Sequence, residues 1–190
     1  MSTKIYSEKW TNLLSDNRFR GKTLPNDLDG RNPFENDYGR LISSSPIRRL
    51  QDKTQVFPLE VSDFIRTRLT HSLEVSYIAS SIGSSIEKIL LERDEISVEQ
   101  KGHLSSLLRV AGLVHDLGNP PFGHFGEEAI KKFFVDYFKL NDTDLTEMEK
   151  ADFENFDGNV QTFRILSKQY YFGDSFGYNL TYSSLASIIK

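Results

Sequence analysis

Three of the four histidines in this 190-residue chain stand where they could share a divalent cation or move a proton. His71 closes the run Arg68-Leu-Thr-His71, His115 is followed directly by Asp116, and His124 ends the run His115-Asp-Leu-Gly-Asn-Pro-Pro-Phe-Gly-His124. Imidazole nitrogen and carboxylate oxygen together suit manganese, iron, cobalt or nickel. An unpaired carboxylate on a packed helix is costly, so Asp116 demands a cation or strong donors. A metal held by His71, His115 and Asp116 meets that demand and leaves positions open to water or substrate. A lone buried histidine is more often a hydrogen-bonded core residue; the adjacent aspartate moves the reading towards metal. His124, folded back over the helix end by the Gly-Asn-Pro-Pro-Phe-Gly bend, suits a general acid or base better than a ligand. Glu127, three residues on, can orient its ring. Glu127 and Glu128 also suit a helix N-terminus, a reading as good at Glu128 and weaker at Glu127.

Those side chains need helices to place them, and the apolar spacing predicts several. His71, Val75, Ile78 and Ile82 recur every three or four residues within a helix expected over 62–91, with Arg68 one turn before His71 on the same face. Leu104, Leu108, Ala111 and His115 share a face of a second helix, expected over 98–117 and ended by Gly118-Asn-Pro-Pro. A tight loop at 122–126 leads into a third helix over 126–139. Thr146-x-x-Glu149 predicts a capping box, and further helices are expected over 159–171 and from Thr181. Ser43-Ser-Ser45 before Pro46 marks a short helix start, with an extended turn over 55–59 and a loop over 172–179. No strand signal is strong, so the fold class is mainly α. Gly21, Pro25, Gly30, Pro33 and Gly39 punctuate residues 1–45, which are expected to form an irregular N-terminal arm ahead of a helical domain over 46–190.

Hydrophobic residues at 38% and charged residues at 26% are ordinary for a globular protein. The absence of cysteine excludes disulfides, thiolate metal sites and cysteine nucleophiles. No apolar run is long enough to span a bilayer, and Met1 to Trp10 lacks a signal-peptide core; a cytoplasmic protein with no membrane partner is expected. The net charge of −4 argues against a protein that coats nucleic acid. Arg40, Arg48, Arg49, Lys53, Arg66 and Arg68 nevertheless gather in the first third. They suit a compact anionic ligand or simply a solvated face.

Five ordered blocks extend the His-Asp pattern. They are Arg31-Asn-Pro-Phe-Glu-Asn-Asp-Tyr-Gly-Arg40, Arg48-Arg-Leu-Gln-Asp-Lys-Thr-Gln-Val-Phe-Pro58, Arg66-Thr-Arg-Leu-Thr-His-Ser-Leu-Glu-Val75, His115 to Glu128, and Phe156-Asp-Gly-Asn-Val-Gln-Thr-Phe-Arg-Ile-Leu166. With them the chain resembles the HD-domain superfamily of metal-dependent phosphohydrolases and, within it, the N-terminal portion of dGTPase-like dNTP triphosphohydrolases. The resemblance implies a helical HD fold and hydrolysis of a deoxynucleoside triphosphate, dGTP or a range of dNTPs, to deoxynucleoside and triphosphate. It implies His71, His115 and Asp116 as metal ligands, with manganese or magnesium ahead of iron, cobalt or nickel. His124 and Glu127 become the catalytic pair, Arg68 a phosphate contact, Gln55 a sugar contact and Asn159 a weaker substrate contact. Turn or capping chemistry remains the alternative at Gln55 and Asn159. Homo-oligomers are common in the family.

Two departures qualify the resemblance. Position 119 is asparagine where many relatives carry histidine, and the aspartate expected as a fourth ligand has no matching block before Lys190. A domain truncated at its C-terminus is therefore expected, with incomplete metal coordination and weak hydrolysis by this chain alone. The alternative is a non-catalytic nucleotide-binding or oligomerisation module that keeps the HD fold. A phosphohydrolase of cyclic dinucleotides or alarmones is a third reading, which the Gln-Val-Phe-Pro and Pro-Pro-Phe-Gly-His blocks disfavour.

Overall fold

The computed structural model describes residues 2–21, 29–55, 62, 64–169 and 175–189, with side chains from Tyr6 onward in the first helix. Val56 to Leu59 of the expected turn and the first part of the loop over 172–179 lie outside the described residues. Among the described residues the structure is helical, with two isolated β-bridges and no strand. No described helix is long and apolar enough to cross a membrane.

The segment expected to be an irregular arm holds two helices, α1 (Ser2–Leu13) and α2 (Pro33–Ile42). Pro33, one of the residues that punctuate this segment, starts the second one. Asn32 accepts from the amides of Phe34 and Glu35 while Glu35 reaches back to the Asn32 amide, and Pro33 stands in the first turn, where its missing N–H costs nothing. Next come α3 (Ser45–Arg48) and a tight 3-10 turn, Arg49–Asp52.

Helix α4 (Arg68–Glu92) and helix α5 (His103–Val114) form the centre of the fold. Leu41, Ile47 and Leu50 from the N-terminal side and Leu166, Leu180 and Leu185 from the C-terminal side close on Val110, Leu113 and Val114 of α5. A second cluster joins Leu14, Phe34 and Leu90 to Leu104 and Leu107.

The face of α4 that meets α5 is not the apolar one. Ser72, Ser76, Gly83 and Glu87 are buried, while Tyr77 is 74%, Ile78 56% and Ile82 53% exposed. Of the spacing expected to mark the packed face, Ile78 and Ile82 thus lie on an outward stripe, while His71 and Val75 are half-buried. The reason is close backbone approach: a Cβ on Gly112 would lie 2.7 Å from the Cα of Ser76, and one on Gly83 would lie 2.7 Å from the Cα of Ser105. Only small residues fit. Ser76 Oγ donates across the pair to the Arg109 carbonyl at 2.7 Å. Buried Glu87 accepts from the amides of Leu104 and Ser105, placing a carboxylate at the start of α5. Gly112→Ala is expected to destabilise the chain by about 1–3 kcal/mol, since the clash is with backbone; the urea unfolding midpoint measures it, and an unchanged midpoint would contradict this packing.

The chain leaves α5 through a turn over Leu117–Phe122 and enters α6 (Gly123–Leu140). That helix starts three residues earlier than the expected 126, so His124 and Glu127 are both helical. Phe122 and Gly123 take positive φ, 66° and 57°, to make the corner. Then follow α7 (Glu147–Glu154), opened by the expected Thr146–Glu149 capping box, and α8 (Gly158–Arg164), capped by Asp157. The latter runs into a wider turn, Ile165–Gln169, and Thr181 caps the short α9 (Tyr182–Ala186).

Candidate metal centre

The first turn of α4 is anchored at both ends. Thr67 pairs with Thr54, the Arg68 amide donates to the Lys53 carbonyl at 2.9 Å, and Thr67 Oγ1 caps the Thr70 amide. This sets His71 against the end of α5. The rings of His71 and His115 meet edge to face with centroids 5.2 Å apart. One donor atom each from His71, His115 and Asp116 lies within 4.8 Å of the others, and all three residues are half-buried. A cation bound at 2.0–2.2 Å from each donor requires separations of this order.

The surroundings of the donors decide which atoms face the shared space. His115 Nδ1 lies 2.8 Å from the Gly112 carbonyl, an acceptor, so that nitrogen carries the proton. The lone pair is left on Nε2, 3.5 Å from Asp116 Oδ2. A carbonyl partner of this kind fixes tautomer and ring orientation in metal-ligating histidines. The other Asp116 oxygen, Oδ1, accepts from Asn119 Nδ2 at 2.8 Å. Two histidines and one carboxylate, grouped this closely, fit a borderline divalent cation.

Arg68 sits one turn before His71, as its spacing predicts, but it is buried. Its guanidinium donates to the carbonyls of Asn119 and Pro120 at 2.7 and 2.8 Å. Burial lowers its pKa from the ordinary range, and Asp116 opposes that. Lys53 reaches the Asn119 carbonyl more loosely, at 3.4 Å; burial, then Arg68 and Arg49, hold its ammonium below its usual value. Arg49, Lys53, Leu117 and Gln169 help line a cavity of about 580 Å³ beside this turn.

The second pair forms on α6. His124 Nδ1 lies 2.9 Å from Glu127 Oε2, and the other Glu127 oxygen accepts from the Gly158 amide at 2.9 Å. Glu127 is buried, whereas the His124 side chain is 93% exposed. The carboxylate therefore holds the imidazole proton on Nδ1 and leaves Nε2 as a free acceptor towards solvent. Gln55 is half-buried, and its Oε1 is enclosed without a hydrogen-bond partner. Asn159 is half-buried in the first turn of α8, where its amide donates to Asp157 Oδ1 at 2.7 Å. The remaining histidine, His103, opens α5 edge-on to Phe34, and burial favours its uncharged form.

Several residues that sequence reasoning left without a role belong to the frame of the site. Asn119 supports Asp116. Thr162 Oγ1 accepts from the Gly118 amide at 2.9 Å and donates to the Gly158 carbonyl at 3.0 Å. The clamp by Arg68 on two carbonyls had no signal beyond its position one turn before His71.

Residues 68–174 match the model of the HD domain. The chain is 47% identical over 96% of its length to a protein of Listeria monocytogenes named deoxyguanosinetriphosphate triphosphohydrolase-like protein, and covers 42% of that protein. A protein of Synechocystis bearing the same name is 39% identical over the same shares of the two chains. A Klebsiella pneumoniae protein named deoxyguanosinetriphosphate triphosphohydrolase is 37% identical over 83% of this chain and 36% of its own length. The chain thus spans about two fifths of the length of these curated relatives, 42% for the first.

Proposed function

The chain belongs to the HD-domain family, and on that premise we propose that it serves metal-dependent hydrolysis of deoxynucleoside triphosphates to deoxynucleoside and inorganic triphosphate. The observation that carries this reading is the convergence of His71, His115 and Asp116 from two helices on one small space. Manganese or magnesium is the proposed ion, held by His115 Nε2, Asp116 Oδ2 and a His71 nitrogen. When bound, the ion supplies positive charge to the phosphate oxygens and acidifies a water.

The protein's own groups do the rest. Water adds to the α-phosphorus, the bond from that phosphorus to the 5′ oxygen breaks, and the departing deoxynucleoside oxygen takes up a proton. His124 is the proposed group for proton transfer. Its Nε2 faces solvent, and Glu127 on the far nitrogen stabilises the ring when it carries both protons. Gln55, with its enclosed and unpartnered Oε1, is the proposed acceptor for the sugar hydroxyl. Arg68 is committed to backbone carbonyls, so its proposed contribution to phosphate binding runs through the turn it holds. Asn159 remains a weaker candidate at the start of α8. A homo-oligomer is the proposed assembly.

Incubating the chain with each of the four dNTPs and Mn²⁺ or Mg²⁺, then separating the products, tests the reaction. The expected products are deoxynucleoside and triphosphate, formed slowly, and absent without metal or in His115→Ala. Release of pyrophosphate, or nucleotide binding with no product under any metal, would overturn the reading; the latter favours a non-catalytic nucleotide-binding module.

A further inference from the structure

The metal cluster and the His124–Glu127 pair sit on different elements, α4 with the end of α5 on one side and α6 on the other. A close backbone contact joins their supports. A Cβ on Gly158 would lie 2.2 Å from Asn119 Oδ1 and 2.7 Å from Glu127 Oε1. A Cβ on Gly118 would in turn lie 2.2 Å from the amide nitrogen of Thr162 and 2.3 Å from the Gly158 carbonyl oxygen. The first turn of α8 therefore lies directly on the turn that follows Asp116, and each strand of chain excludes a side chain from the other. Thr162 Oγ1 bridges the two, from the Gly118 amide to the Gly158 carbonyl.

We propose that Gly118 and Gly158 form a backbone joint that sets the metal cluster and the His124–Glu127 pair in register, with Gly158 as a positioning residue for both. Asn119 lies against one side of Gly158 and holds Asp116 Oδ1. Glu127 lies against the other side, takes the Gly158 amide on Oε1 and holds His124 on Oε2. A methyl group at 158 displaces both partners at once. Its two nearest contacts are the ends of side chains, which can swing away, and the third, Asn119 Cα at 3.1 Å, needs only a small shift, so the effect falls on what those side chains support. This rests on the assignment of His71, His115 and Asp116 as the metal site, and it adds a requirement that neither site alone imposes.

The test uses the whole chain carrying Gly158→Ala, with circular dichroism to confirm folding. Two readouts follow: the ¹⁵N signals of the His124 ring at alkaline pH without metal, and the Mn²⁺ dissociation constant. In the unaltered chain the His124 proton is expected on Nδ1; in Gly158→Ala it moves largely to Nε2, and Mn²⁺ affinity falls about tenfold, the scale for disturbing a ligand's supporting partner. Adding Gly158→Ala to Asn119→Ala should cost little further Mn²⁺ affinity, because the nearest contact, the Asn119 side-chain oxygen, is gone, while the His124 signal stays shifted through Glu127. A folded Gly158→Ala chain with unaltered His124 signals and affinity overturns the joint. If Gly158→Ala does not fold, Thr162→Val carries the test. The same two changes, smaller, support the joint, and their absence in a folded chain overturns it. Failure of the unaltered chain to bind Mn²⁺ would sink the metal assignment separately, since the His124 signal is recorded without metal.

Discussion

Asp116→Ala is expected to lower the affinity of the chain for Mn²⁺ by more than about 100-fold, with the fold intact. Changes to the partner of a ligand commonly cost 10–100-fold, and this change removes a ligand itself. Asp116 contributes the one formal negative charge among the three donors. Its loss leaves two neutral imidazoles on a divalent cation, a weaker pair in both charge and number. The residue is half-buried at a helix end, and among the described contacts its carboxylate accepts one hydrogen bond, from Asn119 Nδ2, so little packing is lost. Titration calorimetry or the electron paramagnetic resonance of free Mn²⁺ measures the effect. Affinity within about threefold of the unaltered chain would remove Asp116 from the site. Asn119→Ala is a graded control, since it takes away only the hydrogen bond that orients the carboxylate.

The largest effect on stability is expected far from the metal, at Asp37. This carboxylate is fully buried on α2. One oxygen pairs with Arg18 Nη1; the other accepts from the Thr181 amide, Thr181 Oγ1 and Ser184 Oγ at 2.8–2.9 Å. Arg18 also reaches the carbonyls of Asn179 and Pro33. Asp37 thus ties the segment after α1, helix α2 and the start of α9 to one another. Asp37→Ala leaves a buried guanidinium without its carboxylate and takes the acceptor from the Thr181 amide and the Ser184 hydroxyl, while Thr181 Oγ1 keeps Ser184 Oγ. Breaking a buried pair from one side costs about 3–5 kcal/mol, and a fall of that size in the free energy from urea unfolding is expected. A loss below about 1 kcal/mol would place the pair among those that contribute little. The exposed Arg31–Asp29 pair is the contrast: its truncation should hardly move the midpoint.

The two halves of the site differed in how legible they were. His115-Asp116 and the Pro-Pro bend could be read directly, because an adjacent ligand pair and a helix stop are local facts. The bond from His124 to Glu127 was readable as a three-residue spacing, although the helix begins at Gly123 and not beyond it. The capping box at Asn32–Glu35 was also a local signal, obscured by the proline and glycines around it. What periodicity misjudged was the packed face of α4. Apolar spacing locates the stripe that must leave water, but here Ser72, Ser76 and Gly83 are buried because the helices meet backbone to backbone. Nor could the sequence reveal that Arg68 clamps two carbonyls, or that Gly118 and Gly158 exclude each other's side chains. Both depend on residues about 40–50 positions apart, which no local pattern connects.

The close seating of α4 on α5 has a mechanical consequence for the cation. A long side chain magnifies any error at its base, whereas two helices separated by little more than hydroxyls and α-carbons have almost no slack to magnify. The gap between His71 and His115 therefore behaves like a machined clearance, cut by the same serines and glycines that seat the helices. An arriving ion would find donors already at their working distance, and would have little ordering of its own to impose.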